Sequence, residues 1–464
     1  MKRFSARHGL STLLNHFEEG SNPLNAHMSP IYQTSTFSFP DVATGMAIER
    51  GEVDGFIYTR LGNPNAQQLA RKLALLEGID LVRAKPEAPV EETVAGQIFA
   101  SGMSAVSSAV LARVKAGDTI IAQKSLYGNV YNFLHDTAAH LGIKTVLVSD
   151  TSADGWQAAF RDHPQAVLAY VETPVNPNML IVDLQMVAEL AHQHNCWLMA
   201  DNTFATPYCQ RPLNLGADVV IHSTTKYISG HGVIIGGAVI SPHLDYIHQN
   251  VQESLTLLGG APSPFDAWLA NLGLRTFELR MQRHCANAMA IASYLEAHPK
   301  VAAVYYPGLE SDPGHAIARK QMYCFGGMLS FELKGGLQAG AALMNAVRVA
   351  TLAVSLGNLD TLIQHPASMT QSSVSPEERQ RMGVSDGLVL SATLASPAVR
   401  GLTSCIMPKR EQPEPVLRLL HAAGRGLIWR PERHTQPFRR RVLCSNPKNQ
   451  TGGRCALRAA CHSS

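Results

Sequence analysis

Between Thr93 and Ile240, short apolar runs alternate with stretches of helical length, and this alternation limits the fold more than any other feature of the chain. The runs are GQIFAS (Gly96 to Ser101), DTIIAQ (Asp118 to Gln123), KTVLVS (Lys144 to Ser149), AVLAYVE (Ala166 to Glu172), CWLMAD (Cys196 to Asp201) and ADVVI (Ala217 to Ile221). They are apolar at consecutive positions, as strands covered on both faces are. Between them, stretches such as VDLQMVAELAHQHN (Val182 to Asn195) carry apolar residues at helical spacing. The pattern predicts an α/β fold built on a mostly parallel sheet. In such sheets ligands bind outside the carboxyl ends of the strands. The residues with chemical potential gather there: Ser101-Gly102-Met103, Tyr127, Glu172 with Asn176, Asp201, and the run Ser223 to Lys226.

With 464 residues, 45% hydrophobic and 16% charged, the chain suits a globular enzyme with a large core. The net charge of +3 hides an asymmetry. Residues 390–464 hold 13 Lys/Arg against three Glu and no Asp, which leaves residues 1–389 at a net −7. Neither part implies a nucleic-acid partner. The eight cysteines are scattered with no CxxC spacing, which argues against a zinc site or a redox dithiol. Without a secretory signal they fit a reducing, cytoplasmic setting. No run of 18 apolar residues occurs, so no membrane span is expected. A helix is expected to start near Arg283 and to open a smaller C-terminal α/β domain. Four parts follow: an N-terminal arm (1–62), a ligand-binding domain (63–270) with an inserted exposed loop at 78–97, a C-terminal domain (271–389) and an atypical basic tail (390–464).

The stretch HSTTKYISGHG (His222 to Gly232) sets Lys226 among hydroxyl residues at a strand end, followed by small residues that let a ligand come close. A lysine amine condenses with an aldehyde cofactor, and pyridoxal 5′-phosphate (PLP) brings that aldehyde with a phosphate and a pyridine nitrogen. Such a cofactor needs a carboxylate for its ring nitrogen, amide and hydroxyl donors for its phosphate, and an aromatic ring on its face. Asp201 offers the carboxylate. Ser101, Gly102 and Met103, at the start of a helix, together with Ser223 and Thr225, offer the donors. Tyr127 offers the ring. Each has an ordinary alternative: a strand-end Asp caps helices, SGMS starts them, and a turn tyrosine packs. Their joint placement at successive strand ends favours the cofactor.

These stretches, with YTRLGNPN (Tyr58 to Asn65), ETPVNPNM (Glu172 to Met179), SPFDAW (Ser263 to Trp268), LRMQRHCANA (Leu279 to Ala288) and AVSLGNLDTLIQHPASMTQSS (Ala353 to Ser373), resemble the Cys/Met-metabolism PLP enzymes of fold type I. This γ-family includes cystathionine γ-synthase and γ-lyase, methionine γ-lyase and O-acylhomoserine sulfhydrylase, and the chain is most similar to methionine γ-lyase. The resemblance covers about residues 7–389. It implies γ-elimination from a sulfur amino acid, or γ-replacement on an O-acylhomoserine. It also implies Lys226 and Tyr127 as catalytic groups, Asn176 near the PLP hydroxyl and Ser355 near the substrate carboxylate. Tyr58 and Arg60 are implied to reach the phosphate in a neighbouring subunit, within a dimer of dimers.

Two departures bear on activity. Methionine γ-lyases carry Cys two residues after the stacking Tyr, where this chain has Asn129. The family places a carboxylate-gripping Arg after the SDGLV motif, where this chain has Leu390, and beyond it the resemblance ends. A frameshifted or replaced C-terminus would account for that junction, and Arg400 is a weak substitute. The implied consequence is a protein that binds PLP with impaired turnover.

Overall fold

The computed structural model describes residues 8–392 except 20, 21, 23, 373, 374 and 382. The six apolar runs form β1 (Ala95–Phe99), β2 (Thr119–Gln123), β3 (Lys144–Val148), β4 (Ala166–Glu172), β5 (Trp197–Asp201) and β6 (Val219–His222). A further strand, β7 (Gly237–Ser241), completes a seven-stranded sheet of order β1-β7-β6-β5-β4-β2-β3. The ladders β2·β3, β2·β4, β4·β5 and β5·β6 are parallel, and β7 runs antiparallel to both β1 and β6. Its sequence begins Gly236-Gly237, which reads locally as a turn, so β7 escapes a pattern search.

Successive residues of one strand serve different cores, which is why the runs lack alternation. Val220 packs in the cluster of Leu69, Leu73 and Ile98, and its neighbour Ile221 in that of Phe99, Val106 and Tyr170. Ile121 and Leu198 face a third cluster around Trp156 and Phe160. The helix Pro64–Glu77 lies against β1 and β7. Asn63 caps it by accepting from the Asn65 amide, and Pro64 sits in its first turn, where the missing N–H costs nothing. Its Lys72 is buried, yet its Nζ lies 2.6 Å from Glu19 and also donates to the Leu14 carbonyl. Those bonds hold the N-terminal segment on its own chain, with Leu13 and Leu14 in the core.

A second, five-stranded sheet comprises β8 (Val301–Tyr305), β9 (Met328–Leu333), β10 (Thr351–Leu352), β11 (Leu362–Gln364) and β12 (Leu388–Ala392), in the order β10-β11-β12-β9-β8. The helix Phe277–Glu296 lies against β8 and β9. It starts six residues before Arg283.

Two sequence expectations need correction. Residues 78–97 are not one exposed loop: Ile79–Ala84 is a helix with Ile79 and Val82 buried, and β1 begins at Ala95. Pro and Glu residues suggested a loop, but two apolar side chains four positions or fewer apart suffice to dock one helical turn. The fold does not stop at Val389 either. Strand β12 runs to Ala392, and Leu390 pairs with Gln364 on β11 and Ser330 on β9. Its strand is buried at every position and apolar at all but Ser391, so the ladder continues. Arg400 and the rest of the basic tail lie outside the described residues.

Candidate active site

The carboxyl ends of β1, β2, β4, β5 and β6 bring together most of the residues singled out above. Ser101 follows β1 and caps the helix Gly102–Leu111, its Oγ accepting from the Ser104 amide at 3.0 Å. That cap leaves the amides of Gly102 and Met103 at the helix start, where anions are favoured. Ser223 closes the same corner. A Cβ built on Gly102 would lie 2.9 Å from the Ser223 Cβ and 3.1 Å from its Oγ, so only glycine fits against it. The Ser223 amide donates to Thr203 Oγ1 at 2.8 Å. Thr225 is spoken for: its hydroxyl donates to the Gly236 carbonyl at 3.3 Å and accepts from the Gly236 amide at 3.0 Å.

Lys226 lies in the turn after β6, and its Nζ donates to Ser355 Oγ at 3.1 Å. No carboxylate among the described residues pairs with it. Burial without a counter-charge lowers its pKa, which raises the fraction of neutral, nucleophilic amine. The turn is held by Arg280, whose Nη1 donates to the Tyr227 carbonyl at 2.6 Å and whose Nη2 donates to those of Ile228 and Gly273 at 3.3 and 2.9 Å. Burial lowers that guanidinium to about 10. Arg280 belongs to a quoted motif, but Tyr227 and Ile228 lie 53 and 52 residues away, so its hold on the lysine turn is invisible in sequence.

Asp201 ends β5 beside Glu172, its ladder partner at the end of β4. Burial raises its pKa, against the Thr203 side chain and amide, which lower it. The Thr203 amide donates to Asp201 Oδ1 at 2.9 Å. Burial and the Asp201 charge push Glu172 up to about 8. Each Glu172 oxygen accepts a backbone amide, Tyr127 on Oε2 and Asn176 on Oε1, both at 2.8 Å. The Tyr127 side chain is half-exposed, and its hydroxyl oxygen accepts from the Asn129 amide group at 3.2 Å.

On the other face of the sheet end lies a buried polar network that sequence reading did not identify. His222 Nε2 is 2.5 Å from Glu77 Oε1, which also accepts from Asn202 Nδ2 at 2.8 Å. Asn202 and His222 each adjoin a candidate cofactor residue, Asp201 and Ser223, so the network fixes the backbone from which those residues project. The motifs ADNTF and HSTTK contain both residues. Only Glu77, in a helix far away in sequence, gives them a purpose.

Tyr58 and Arg60 lie apart from this group. They line a cavity of about 380 Å³ with Gln33, Thr34, Ser35, Thr59, Ala261 and Pro264. Arg60 Nη1 donates to the Thr256 carbonyl at 2.7 Å, and its guanidinium lies 5.7 Å from the Tyr58 ring centroid. Met103 packs against the Phe99 and Val106 cluster with its side chain. No group of three His, Cys, Asp or Glu residues that could hold a metal occurs among the described residues. None of their helices is long and apolar enough to cross a membrane.

A part-buried lysine without a counter-charge, a helix start with no room for a Cβ, and a buried carboxylate fit an aldehyde-bearing, phosphorylated pyridine. Comparisons with known proteins agree. The sequence profile described as "Cys/Met metabolism PLP-dependent enzyme" matches residues 11–392. An L-methionine gamma-lyase of Porphyromonas gingivalis is 46% identical over 385 residues, covering 82% of this chain and 92% of its own. An O-succinylhomoserine sulfhydrylase of Pseudomonas aeruginosa is 37% identical over 367 residues, covering 79% and 87%. The crystal structure of a cystathionine gamma synthase from Xanthomonas oryzae pv. oryzae, in complex with aminoacrylate and cysteine, superposes with a TM-score of 0.78. It is 34% identical and covers 90% of this chain and 99% of that one.

Proposed function

Because the chain belongs to the Cys/Met-metabolism PLP-dependent enzyme family, we propose that it splits the γ-carbon–sulfur bond of L-methionine, with uptake of water, to give methanethiol, 2-oxobutanoate and ammonia. The observation that carries this reading is the Lys226 amine, its pKa lowered by burial, held by Ser355 beside the cradle of Gly102 and Ser223. The higher identity to the methionine gamma-lyase than to the sulfhydrylase favours elimination over replacement. When bound, PLP supplies an aldehyde for an amine and a ring that withdraws electrons from the substrate α-carbon.

The protein's own groups divide the remaining work. The amides of Gly102 and Met103, with Ser101 and Ser223, would hold the phosphate of bound PLP, and Thr225 braces that loop through Gly236. Asp201 would hold the protonated ring nitrogen by a charge-assisted hydrogen bond. Lys226 takes the proton from the substrate α-carbon and returns one to the chain as it shortens. Tyr127 covers the ring and donates its hydroxyl proton to the departing sulfur, with Asn129 orienting that hydroxyl. Asn176 sits beside the ring hydroxyl, and Ser355 by the substrate carboxylate.

Tyr58 and Arg60 fit the phosphate site of a second subunit, since they face outward in their own chain. Val42, Met46 and Val53, close to Tyr58 and Arg60 in sequence, are exposed apolar residues that a second copy would cover. These residues support a dimer of dimers, for which we propose a cytoplasmic location. We also retain the boundaries near residues 62, 270 and 390 as functional divisions, with β12 assigned to the C-terminal domain.

A second reading follows from Leu390, which is 1% exposed among apolar neighbours and offers the substrate carboxylate no positive charge. On that reading PLP binds and turnover is impaired. One experiment separates the two. The purified protein is scanned for the visible band of lysine-bound PLP. One portion is reduced with borohydride, and another is assayed for 2-oxobutanoate from L-methionine or L-homocysteine and for homocysteine from O-acetyl-L-homoserine plus sulfide. A reducible band with 2-oxobutanoate from methionine supports the lyase. A reducible band without product supports the impaired protein, and a missing band refutes both.

A further inference from the structure

Glu172 is 5% exposed and ends β4 with both carboxylate oxygens engaged by main-chain amides from different loops. One amide belongs to Tyr127, in the loop after β2, and the other to Asn176, in the loop after β4 itself. Gln123, the last residue of β2, fixes the Glu172 backbone from the side. Its Nε2 donates to the Glu172 carbonyl at 3.0 Å, and its Oε1 accepts from the Glu172 amide at 3.1 Å. Apart from the Asn129 bond to its hydroxyl and the Val130 and Tyr131 amides on its carbonyl, all from the helix that follows it, the Glu172 bond ties Tyr127 to the sheet. Its side chain is 43% exposed, and it precedes a helix that has no side-chain cap.

We propose that Glu172 is a positioning residue, a common acceptor that sets the spacing of Tyr127 and Asn176 at the mouth of the site. The proposal rests on reading that site as the PLP site. A carboxylate has an acceptor for each amide, whereas a protonated or amidated side chain keeps one good acceptor and turns the other atom into a donor facing an N–H. The clamp is therefore bistable in its charge state. The groups around it are Asp201, in register on β5, and Tyr170, two residues back on β4, with His222 acting on Asp201 from β6. Asp201 disfavours the Glu172 charge and the two amides favour it. A cation held at Asp201 removes the first effect and strengthens the clamp. Loading the site and ordering its mouth thus become one event.

The test is hydrogen exchange on the full-length protein, stripped of PLP and loaded with it, comparing wild type with Glu172→Gln. Read above about pH 8, where the wild-type carboxyl is ionised, the expected result is exchange at least about tenfold faster in Glu172→Gln at the Tyr127 and Asn176 amides, the loss of one charge-assisted bond, with the β4 and β5 ladder amides unchanged. In the loaded variant PLP remains reducible onto Lys226, but its visible circular dichroism weakens because the neighbouring ring is no longer fixed. Exchange at both amides within twofold of wild type overturns the proposal. If Glu172→Gln does not fold, the wild type decides. Protection of both amides, corrected for intrinsic exchange, must rise together as pH passes about 8 in the stripped protein, and flat protection refutes the clamp. An exchange difference without any reducible band in the wild type upholds the clamp and sinks the PLP reading instead.

Discussion

Replacing Gly102 with Ala tests the phosphate cradle with the least disturbance of anything else. Gly102 is the first residue of its helix, and Ala is a better helix former by about 1 kcal/mol in an interior position, so the fold should not suffer. The cost falls on the corner shared with Ser223. The added Cβ would stand 2.9 Å from the Ser223 Cβ, whereas carbon atoms rest at about 3.5–4.0 Å. One side must retreat by roughly 0.6–1.1 Å, and both sides carry donors for the phosphate. A retreat of that size removes one charge-assisted hydrogen bond, worth about 1.5–3 kcal/mol, and raises the PLP dissociation constant about 10- to 150-fold. The assay is titration of the stripped protein with PLP, followed in the visible band, alongside thermal melting of the stripped forms. Gly128→Ala is the control. It too opens a helix after a strand end, but its Cβ meets nothing within 4 Å, so affinity should not change. A Gly102→Ala dissociation constant within threefold of wild type would show that the corner of Gly102 and Ser223 does not hold the phosphate.

Arg280→Ala strips a donor from the carbonyls of Tyr227, Ile228 and Gly273. Leaving buried acceptors unpaired costs about 1–3 kcal/mol each, so the urea midpoint should drop and PLP should leave faster. His222→Ala removes one hydrogen-bond partner of the buried Glu77 and should destabilise the protein by about 1–3 kcal/mol in urea unfolding. Burial keeps Glu172 protonated up to about 8, where an unfolded Glu, with the usual 4.5, has already lost its proton. The folded state then holds the extra proton, so stability of the stripped protein falls as pH rises from about 4.5 to 8. A urea midpoint that climbs over that window would contradict the assignment. Asn129→Ala frees the Tyr127 hydroxyl, and kcat for thiol release should fall about 10-fold with KM little changed, as for a lost transition-state contact. Burial pushes the Cys196 thiol up to about 12, so a thiol reagent at neutral pH should label it only after denaturation, which peptide mass spectrometry can read.

What the chain declares locally, it declares well. Strand-forming runs and helical periods involve residues within a few positions of one another, so the sheet and the strand ends carrying Ser101, Asp201 and Lys226 could be placed from the sequence. The family motifs extended that reading to Ser355, which lies 129 residues from the lysine whose amine it accepts. Tertiary structure alone decided the rest, because it turns on which distant elements meet. Glu172 became a clamp only when the loops after β2 and β4 converged on its two oxygens. Glu77 acquired a buried partner 145 residues away. Gly236-Gly237 spelled a turn until the two strands flanking β7 offered it ladders on both sides. Leu390 looked like the start of a foreign tail, yet two neighbouring strands still pair with it. Periodicity is written along the chain, but the partners of a buried polar group are chosen by the fold, since only there does an unpaired donor or charge carry its full cost.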